Sequence, residues 1–246
     1  MTGGPCCPEK GVFIVINKTI VLLVVPPVVT PDQGTQSSIS MGSARDFAVL
    51  AGSSVVNTGT TVVHGGDVGT SPGDDVSGFP PGVVSSPHRI RGDDATTQKA
   101  QSDLMTAYRI ALAMVSTHDL SGQNLGGLTI LPGVYNFSSA AELNGTLTLN
   151  NQGDPRARFI FKIGTTLTTG ADSAVITIDG GPASEARRDV TWLVGGSATL
   201  GQDSTFEGDI LASTGITMQA DASISDGCAL TQHGQVTLDS NKISRG

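Results

Sequence analysis

Residues 198–212 read ATLGQDSTFEGDILA and residues 216–230 read ITMQADASISDGCAL, so the second stretch repeats the apolar pattern of the first at an offset of 18 residues. At an outward position of this pattern, Thr199 aligns with Thr217, and Thr237 follows 20 residues later. The aligned apolar pairs are Ala198–Ile216, Leu200–Met218, Phe206–Ile224, Ile210–Cys228 and Ala212–Leu230. This self-similarity indicates an internal repeat.

A repeat of this length without a helix has the size of one β-solenoid coil, which consists of three short strands and three turns. Successive coils stack about 4.8 Å apart, so equivalent side chains form straight ladders. Other runs, FIFKI at 159–163, AVITI at 174–178 and VTWLV at 190–194, are rich in β-branched residues, which favour strands. We therefore predict a mainly β fold built as a β-solenoid.

One segment has helical rather than strand periodicity. We predict a helix over residues 94–116, with Asp93 or Asp94 as its N-cap, because a carboxylate there accepts free backbone N–H groups. Its apolar residues recur at a period of 3.6, and we expect the resulting stripe to pack on a sheet. The stripe consists of Leu104, Ala107, Tyr108, Ala111, Leu112 and Val115, and Ala100 extends it by one turn.

The composition excludes several classes of partner. Charged residues are 15% of the chain, below the usual quarter, and 27 threonines and 24 serines outnumber the 36 charged residues. The polar surface is therefore mainly hydroxyl. The net charge of −8 argues against nucleic acid, since phosphate binding needs clustered Lys and Arg, and it gives no reason to expect a membrane surface as partner.

No motif typical of catalysis or of metal binding is present, and we expect no enzyme activity, no cofactor and no metal. There is no Cys-x-x-Cys pair, and we expect Cys228 to be a buried apolar residue. Asp203 and Asp221 align at the repeat offset, but turn geometry explains aspartates at such positions. The four histidines are scattered: His64, His88, His118 and His233.

Two other functions remain as alternatives. An extracellular polysaccharide-binding or adhesion module would need exposed aromatic platforms, whereas Trp192 lies in an apolar strand and the chain has two tyrosines. A solenoid polysaccharide lyase would need a carboxylate pair or a calcium cluster on one face, and the acidic residues occur mostly in turns instead.

The first 38 residues differ from the rest of the chain. Residues 12–30 are strongly apolar and follow Lys10, which is typical of a secretory signal, although Asn17 and Lys18 interrupt the run. Residues 31–38 (PDQGTQSS) are typical of a linker. We expect residues 1–38 to be a leader of a secreted protein and residues 39–246 to be one domain; an unstructured leader is the alternative.

The chain after the leader contains a series of characteristic blocks. The first are MGSARDFAVLAGSSVVNTG at 41–59 and GDVGTSPGDDVSGFPPG at 66–82. The series continues with GGLTILPGVYNFSSAAELNGTLTLNNQGDPRARFIFKIGTTLTT at 126–169, WLVGGSATLG at 192–201, FEGDILASTGITM at 206–218 and GCALTQHGQVTLDS at 227–240. In these blocks the chain resembles the microbial ice-binding protein family over roughly residues 39–243, and their order makes the resemblance specific.

The resemblance implies a discontinuous, right-handed β-solenoid of roughly triangular section with one long helix packed alongside. It also implies that one flat face binds the surface of an ice crystal, and we expect a secreted monomer. TGIT at 214–217 fits the family's T-A/G-x-T/N motif. The residues expected on or near this face are Ser53, Val56, Ser77, Glu142, Thr166, Thr168, Thr199, Thr214, Thr217 and Thr237.

Overall fold

A computed structural model describes residues 12–16, 19–23, 39–179 and 189–245. The chain divides into two units, Met1–Ser38 and Ile39–Gly246. In the first unit, β1 (Val12–Ile16) and β2 (Thr19–Leu23) form an antiparallel pair. The role of this unit as a secretory leader stays a prediction, and the predicted linker at 31–38 lies outside the described residues.

The second unit consists of short strands, one 3-10 helix (Gly42–Asp46) and one α-helix, α1 (Ala95–Ala113). The strands before α1 are β3 (Phe47–Ala51), β4 (Ser54–Thr58), β5 (Val62–His64), β6 (Asp67–Thr70), β7 (Asp75–Ser77), β8 (Val83–Val84) and β9 (Ile90–Arg91). The strands after α1 are β10 (His118–Asp119), β11 (Thr129–Ile130), β12 (Gly133–Phe137), β13 (Ala141–Leu143), β14 (Thr146–Asn150), β15 (Arg158–Ile163), β16 (Leu167–Thr169), β17 (Ala174–Ile178), β18 (Asp189–Val194), β19 (Ala198–Leu200), β20 (Thr205–Glu207), β21 (Asp209–Ala212), β22 (Ile216–Met218), β23 (Ser223–Ser225), β24 (Ala229–Thr231), β25 (Val236–Asp239) and β26 (Lys242–Ser244).

Among the described residues of this unit, the strands form three parallel sheets, and each complete coil contributes one strand to each sheet, whereas the coils at the two ends of the stack are incomplete. The nine-stranded sheet, on which α1 packs and which we call the helix-covered sheet, has the order β10-β12-β15-β18-β21-β24-β3-β6-β9. The eight-stranded sheet has the order β11-β14-β17-β20-β23-β26-β5-β8, and the seven-stranded sheet has the order β13-β16-β19-β22-β25-β4-β7. The predicted fold class, a β-solenoid with one helix, is confirmed.

The order of the coils in space differs from their order in the chain. The last coil (β24, β25, β26) pairs with the first coil (β3, β4, β5), which lies inside the stack. Strands β6 to β9 extend the stack to one end, and β10 begins it at the other. Helix α1 connects these two ends and packs on the helix-covered sheet, which makes the solenoid discontinuous.

Helix α1 begins where the sequence predicts, with Asp94 as its N-cap. The Asp94 carboxylate accepts hydrogen bonds from the backbone N–H groups of Thr96 and Thr97, at 2.7 and 2.9 Å, and the Thr97 hydroxyl accepts from the Asp94 N–H at 2.8 Å. These bonds satisfy three N–H groups that a helix start otherwise leaves free. The predicted end at residue 116 is wrong, because Met114 has extended backbone angles.

The buried face of α1 is also shifted from the predicted stripe. Leu104, Ala107 and Ala111 are buried as predicted, but Leu112 is 54% exposed and Val115, beyond the helix end, is 84% exposed. The buried face instead continues toward the start of the helix, where it includes the polar residues Thr97 and Gln101. Their polarity hides this part of the face from a hydrophobicity pattern; the Gln101 amide donates to the Thr231 carbonyl at 3.1 Å.

The predicted register of the repeat is correct from β19 to β23 and is shifted by one residue after the corner that follows β23. The pairs that face each other as predicted are Thr199–Thr217, Ala198–Ile216, Leu200–Met218 and Phe206–Ile224. The predicted pairs Ile210–Cys228 and Ala212–Leu230 are wrong, because Ile210 pairs with Ala229 and Ala212 with Thr231. One extra residue enters the corner after β23, where Asp226 has φ of 48°. Asp203 and Asp221 have φ of 55° and 60°, which confirms that they are turn residues.

A stack of five rings runs through the core across four successive coils, with Trp192 and Phe206 in the same coil. His118, Tyr135, Phe161, Trp192 and Phe206 follow one another with ring centroids 5.0, 5.6, 3.8 and 4.8 Å apart. Trp192 is fully buried, and its indole N–H donates to the Glu207 carbonyl at 3.0 Å. His118 ends the stack at the surface. The rings thus join neighbouring coils inside the core.

Truncating the middle of this stack should be far more costly than truncating its end. We expect Trp192→Ala to lower the free energy of unfolding by about 3–5 kcal/mol, because it leaves a large cavity between two rings. His118→Ala should cost about 1 kcal/mol or less, since it removes one exposed stacking contact. Denaturant unfolding of both variants checks this, and equal losses would contradict the role of the stack.

A partly buried polar cluster joins three coils where the last coil of the chain lies against the first coil. The Cys228 thiol donates to the Asp209 carboxylate at 2.9 Å, and the Arg245 guanidinium donates to the Phe47 carbonyl. Cys228 is buried, as predicted, and burial raises its pKa. Burial also raises the pKa of Asp209, and the positive charge of Arg245 only partly offsets this.

Asp209 should therefore make stability fall as pH rises. Its folded-state pKa lies above the unfolded value of about 3.9, so the folded protein binds the extra proton and loses that advantage as pH rises through the folded pKa. We expect the free energy of unfolding of Asp209→Asn to rise relative to the unsubstituted protein between pH 4 and neutral pH. The measurement is denaturant unfolding across this range.

Asp103 provides a control of opposite sign. Hydrogen bonds from Lys99 and from the Ser43 backbone lower the pKa of Asp103. Its stabilising contribution is present above the unfolded pKa and disappears as pH falls through the folded pKa. Asp103→Asn should therefore lose stability at neutral pH and match the unsubstituted protein in acid. The same pH trend in both variants would contradict the assignment of Asp209.

Candidate functional site

The seven-stranded sheet aligns one outward residue from each strand. We call this line the central row, and its members are Glu142, Thr168, Thr199, Thr217, Thr237, Val56 and Ser77. All seven are among the residues predicted from the sequence. Neighbours in the row are separated by the strand spacing of about 4.8 Å. The sheet therefore presents four successive threonines as a regular array.

The period of two along each strand turns the central row toward solvent. On either side of Thr217, Ile216 and Met218 are buried, and Ala198 and Leu200 are buried around Thr199. Glu142, Thr168 and Thr217 are exposed, whereas the other four members are half-buried by their neighbours. The apolar core thus fixes the direction of every side chain in the row.

The hydroxyl groups of the central row are largely free to bind water. The hydroxyls of Thr168, Thr199 and Thr217 make no hydrogen bond within the part of the chain that the structure describes. The Thr237 hydroxyl accepts one from the Gln235 side-chain amide at 3.0 Å. Sequence reasoning missed Gln235, although its position two residues before Thr237 is the next outward position of the strand pattern.

A second line of residues runs beside the central row. The carbonyls of Thr166, Ser197, Gly215 and Gln235 accept successive interstrand hydrogen bonds, at 2.8 to 3.1 Å. Thr166 therefore belongs to this flanking row, two residues before Thr168, and is exposed as predicted. The four residues of the flanking row are also uncharged.

Ser53 and Thr214 lie outside both rows. Both are exposed at the corner between the helix-covered sheet and the seven-stranded sheet, where the Ser53 N–H donates to the Gly234 carbonyl and the Thr214 N–H to the Gly196 carbonyl. The two threonines of the TGIT motif thus occupy different places, Thr214 at the rim and Thr217 in the central row. Thr217 therefore lies with the other threonines of the sheet, whereas Thr214 lies at the rim beside them.

Glycines keep the coils close at this rim. A Cβ atom at Gly234 would lie 1.7 Å from the Thr214 carbonyl oxygen, and one at Gly73 would lie 1.6 Å from that of Ser53. Any side chain at these two positions would push the coils apart. The glycines therefore preserve the spacing of the central row.

Charge is confined to the ends of these rows. Glu142 is the one charged member of the central row, and Asp75, which pairs with Ser54, lies near the opposite end of the sheet. Between them, from β16 to β25, both rows are neutral. Metal binding has no support here: in the described ranges, no three His, Cys, Asp or Glu residues are grouped to hold an ion.

The other two sheets present different outer surfaces. Helix α1 covers the helix-covered sheet by packing on Leu193, Leu211 and Leu230. The eight-stranded sheet carries the exposed Lys242, and the hydroxyls of Ser223 and Ser225 donate to backbone carbonyls at 3.3 Å. The eight-stranded sheet also carries outward threonines, but Ala174, Ile176 and Lys242 interrupt their rows. An unbroken run of four in-register threonines is found on the seven-stranded sheet.

Comparison with known proteins gives one consistent family. A family model described as Ice-binding-like matches residues 49–244. An ice-binding protein of Nostoc sp. (strain HG1) is 46% identical over 209 residues, which cover 85% of this chain and 75% of that protein. Ice-binding protein 1 of Shewanella frigidimarina is 28% identical over 234 residues, which cover 83% of this chain and 26% of that longer protein.

Solved structures agree with these relatives. An ice-binding protein from an Antarctic biological consortium superposes with a TM-score of 0.77 at 39% identity, covering 85% of this chain and 91% of that one. An ice-binding protein of the ascomycete Antarctomyces psychrotrophicus gives a TM-score of 0.78 at 38% identity, covering 85% and 99%. With the family model matching most of its length, this chain belongs to the ice-binding-like family.

Proposed function

We propose that the protein adsorbs to ice crystals through the central and flanking rows of the seven-stranded sheet. The observation that carries this proposal is the run of four in-register threonines, Thr168, Thr199, Thr217 and Thr237, on a neutral part of the sheet. The names of the relatives, all ice-binding proteins, support the same ligand.

The chemistry of this surface suits a ligand without charge or pocket. Each threonine offers a methyl group and a hydroxyl at a fixed spacing, so first-shell water molecules can be held in a regular arrangement that matches ice. Each contact is weak, and the surface must act as a whole. A rigid sheet avoids the entropy cost of ordering side chains and loops when it binds.

Adsorption at many points on a crystal would pin the growth front between bound molecules. This produces thermal hysteresis, the gap between melting and freezing temperatures, and inhibits recrystallisation of small crystals into large ones. Neither effect needs a catalytic group or a cofactor, and the protein is proposed to act without either.

The proposed setting is outside the cell, where the protein acts as a secreted monomer with ice as its partner. The apolar leader sequence supports export, and the acidic composition gives no basis for binding nucleic acid. In the described residues, no helix is long and apolar enough to cross a bilayer. The alternative of a polysaccharide-binding module has little support, because Trp192 and Tyr135 are buried rather than displayed as platforms.

A bulky side chain in the middle of the central row should abolish most activity. We expect Thr217→Tyr to lose most of its thermal hysteresis, since the ring would lift the neighbouring threonines away from the ice lattice. The thermal unfolding temperature of the variant protein should change little, because Thr217 points to solvent. Nanolitre osmometry and circular dichroism provide the two measurements.

Thr106→Tyr is the matched control. Thr106 is exposed on α1, away from the seven-stranded sheet, and the substitution adds the same ring. It should leave hysteresis unchanged. If folded Thr217→Tyr kept the hysteresis of this control, the central row would not be the contact surface.

A further inference from the structure

Strand β13 is built like the other strands of the seven-stranded sheet, but carries Glu142 where its neighbour β16 carries Thr168. Ala141 and Leu143 are each 1% exposed, as inward residues should be, and Glu142 stands in register with Thr168. On the far side of Glu142, the neutral residue Asn124 forms a parallel bridge with it. Beyond β13, which is the edge strand of the sheet, the described backbone makes this isolated bridge, so Glu142 stands on the last regular strand of the array.

The Glu142 carboxylate has no partner to neutralise it. Its side chain is exposed, and it makes no ion pair or hydrogen bond with any residue that the structure describes. A carboxylate in this position must be solvated by water alone, and it orients those molecules strongly around its own charge. Such a hydration shell differs from the tetrahedral order that a row of threonines can hold.

We propose that Glu142 is a specificity-determining residue that sets where the ice-contact surface ends on this side of the sheet. The inference rests on the proposed function of the central row. The contact surface then comprises the strands from β16 onward, although the regular strand array includes β13. The limit lies one strand inside the edge of the sheet, and it is set by the charge of one side chain.

A neutral substitution should extend the surface by one strand. Glu142→Gln keeps the shape of the side chain and removes the charge, and Glu142→Thr supplies the residue that the neighbouring strand carries. Part of the interaction free energy only offsets the fixed cost of adsorption, and the remainder appears as affinity for ice. One added strand adds to that remainder, so thermal hysteresis should rise by about 1.5-fold or more. The readouts are thermal hysteresis and the fraction of protein that partitions into a growing ice crystal.

Asp46→Asn is the control for net charge. Asp46 is exposed in the 3-10 helix Gly42–Asp46, outside the seven-stranded sheet, and its substitution changes the net charge by the same amount. It should behave as the unsubstituted protein. An equal rise in Asp46→Asn and Glu142→Gln would overturn the proposal, since the gain would then come from total charge.

Moving the carboxylate inward gives the reciprocal test. Thr168→Glu places the charge one coil further into the row, and we expect a loss of hysteresis that Glu142→Gln in the same chain does not restore. Circular dichroism confirms that each variant is folded. Activity of folded Glu142→Gln and Glu142→Thr at or below that of the unsubstituted protein would overturn the proposal.

The two hypotheses fail in different ways. If Thr217→Tyr abolishes adsorption and Glu142→Gln changes nothing, the central row binds ice and the role of Glu142 is wrong. If Thr217→Tyr retains full adsorption, the central row is not the contact surface, and the proposal for Glu142 fails with it.

Discussion

Parallel backbone hydrogen bonding between coils is the constraint on which the rest of this structure depends. It fixes the separation of neighbouring strands at about 4.8 Å and leaves no freedom in that direction. The side chain of Thr217 stands opposite Thr199 and Thr237 because the backbone of β22 is bonded to β19 and β25. The regularity of the central row is thus a backbone property, and the side chains only decide what is displayed on it.

The core and the corners protect this regularity. Rings stacked from coil to coil hold the layers together inside, and glycines at the rim allow the layers to touch. Helix α1 covers the one sheet whose outer surface carries a line of leucines, which would otherwise be exposed. Each of these features keeps the coils evenly stacked beneath the central row, although none of them is part of that row.

The sequence predicts this architecture well wherever a strand repeats. The repeat pattern identified Thr199, Thr217 and Thr237 as outward residues, because a period of two decides which side chain faces outward. The other members of the central row came from the family resemblance, since Val56 and Glu142 carry no hydroxyl that a pattern of apolar and hydroxyl residues could detect. Prediction failed at the corners, where extra residues such as the one near Asp226 are absorbed without disturbing the strands. It also failed for α1, whose buried face includes Thr97 and Gln101, because their burial depends on partners far away in the chain.

The position of the first coil inside the stack has a consequence for synthesis on the ribosome. Strands β3 to β5 are synthesised early, but one edge of each stays unpaired until β24 to β26 are made. The Gly52 backbone N–H, for example, donates to the hydroxyl of Thr231, which is synthesised 179 residues later. Contacts of such long sequence separation slow folding and leave strand edges free to aggregate in the meantime. A nascent chain of this topology therefore cannot mature coil by coil, and a truncated product would lack the closing layer that its own beginning requires.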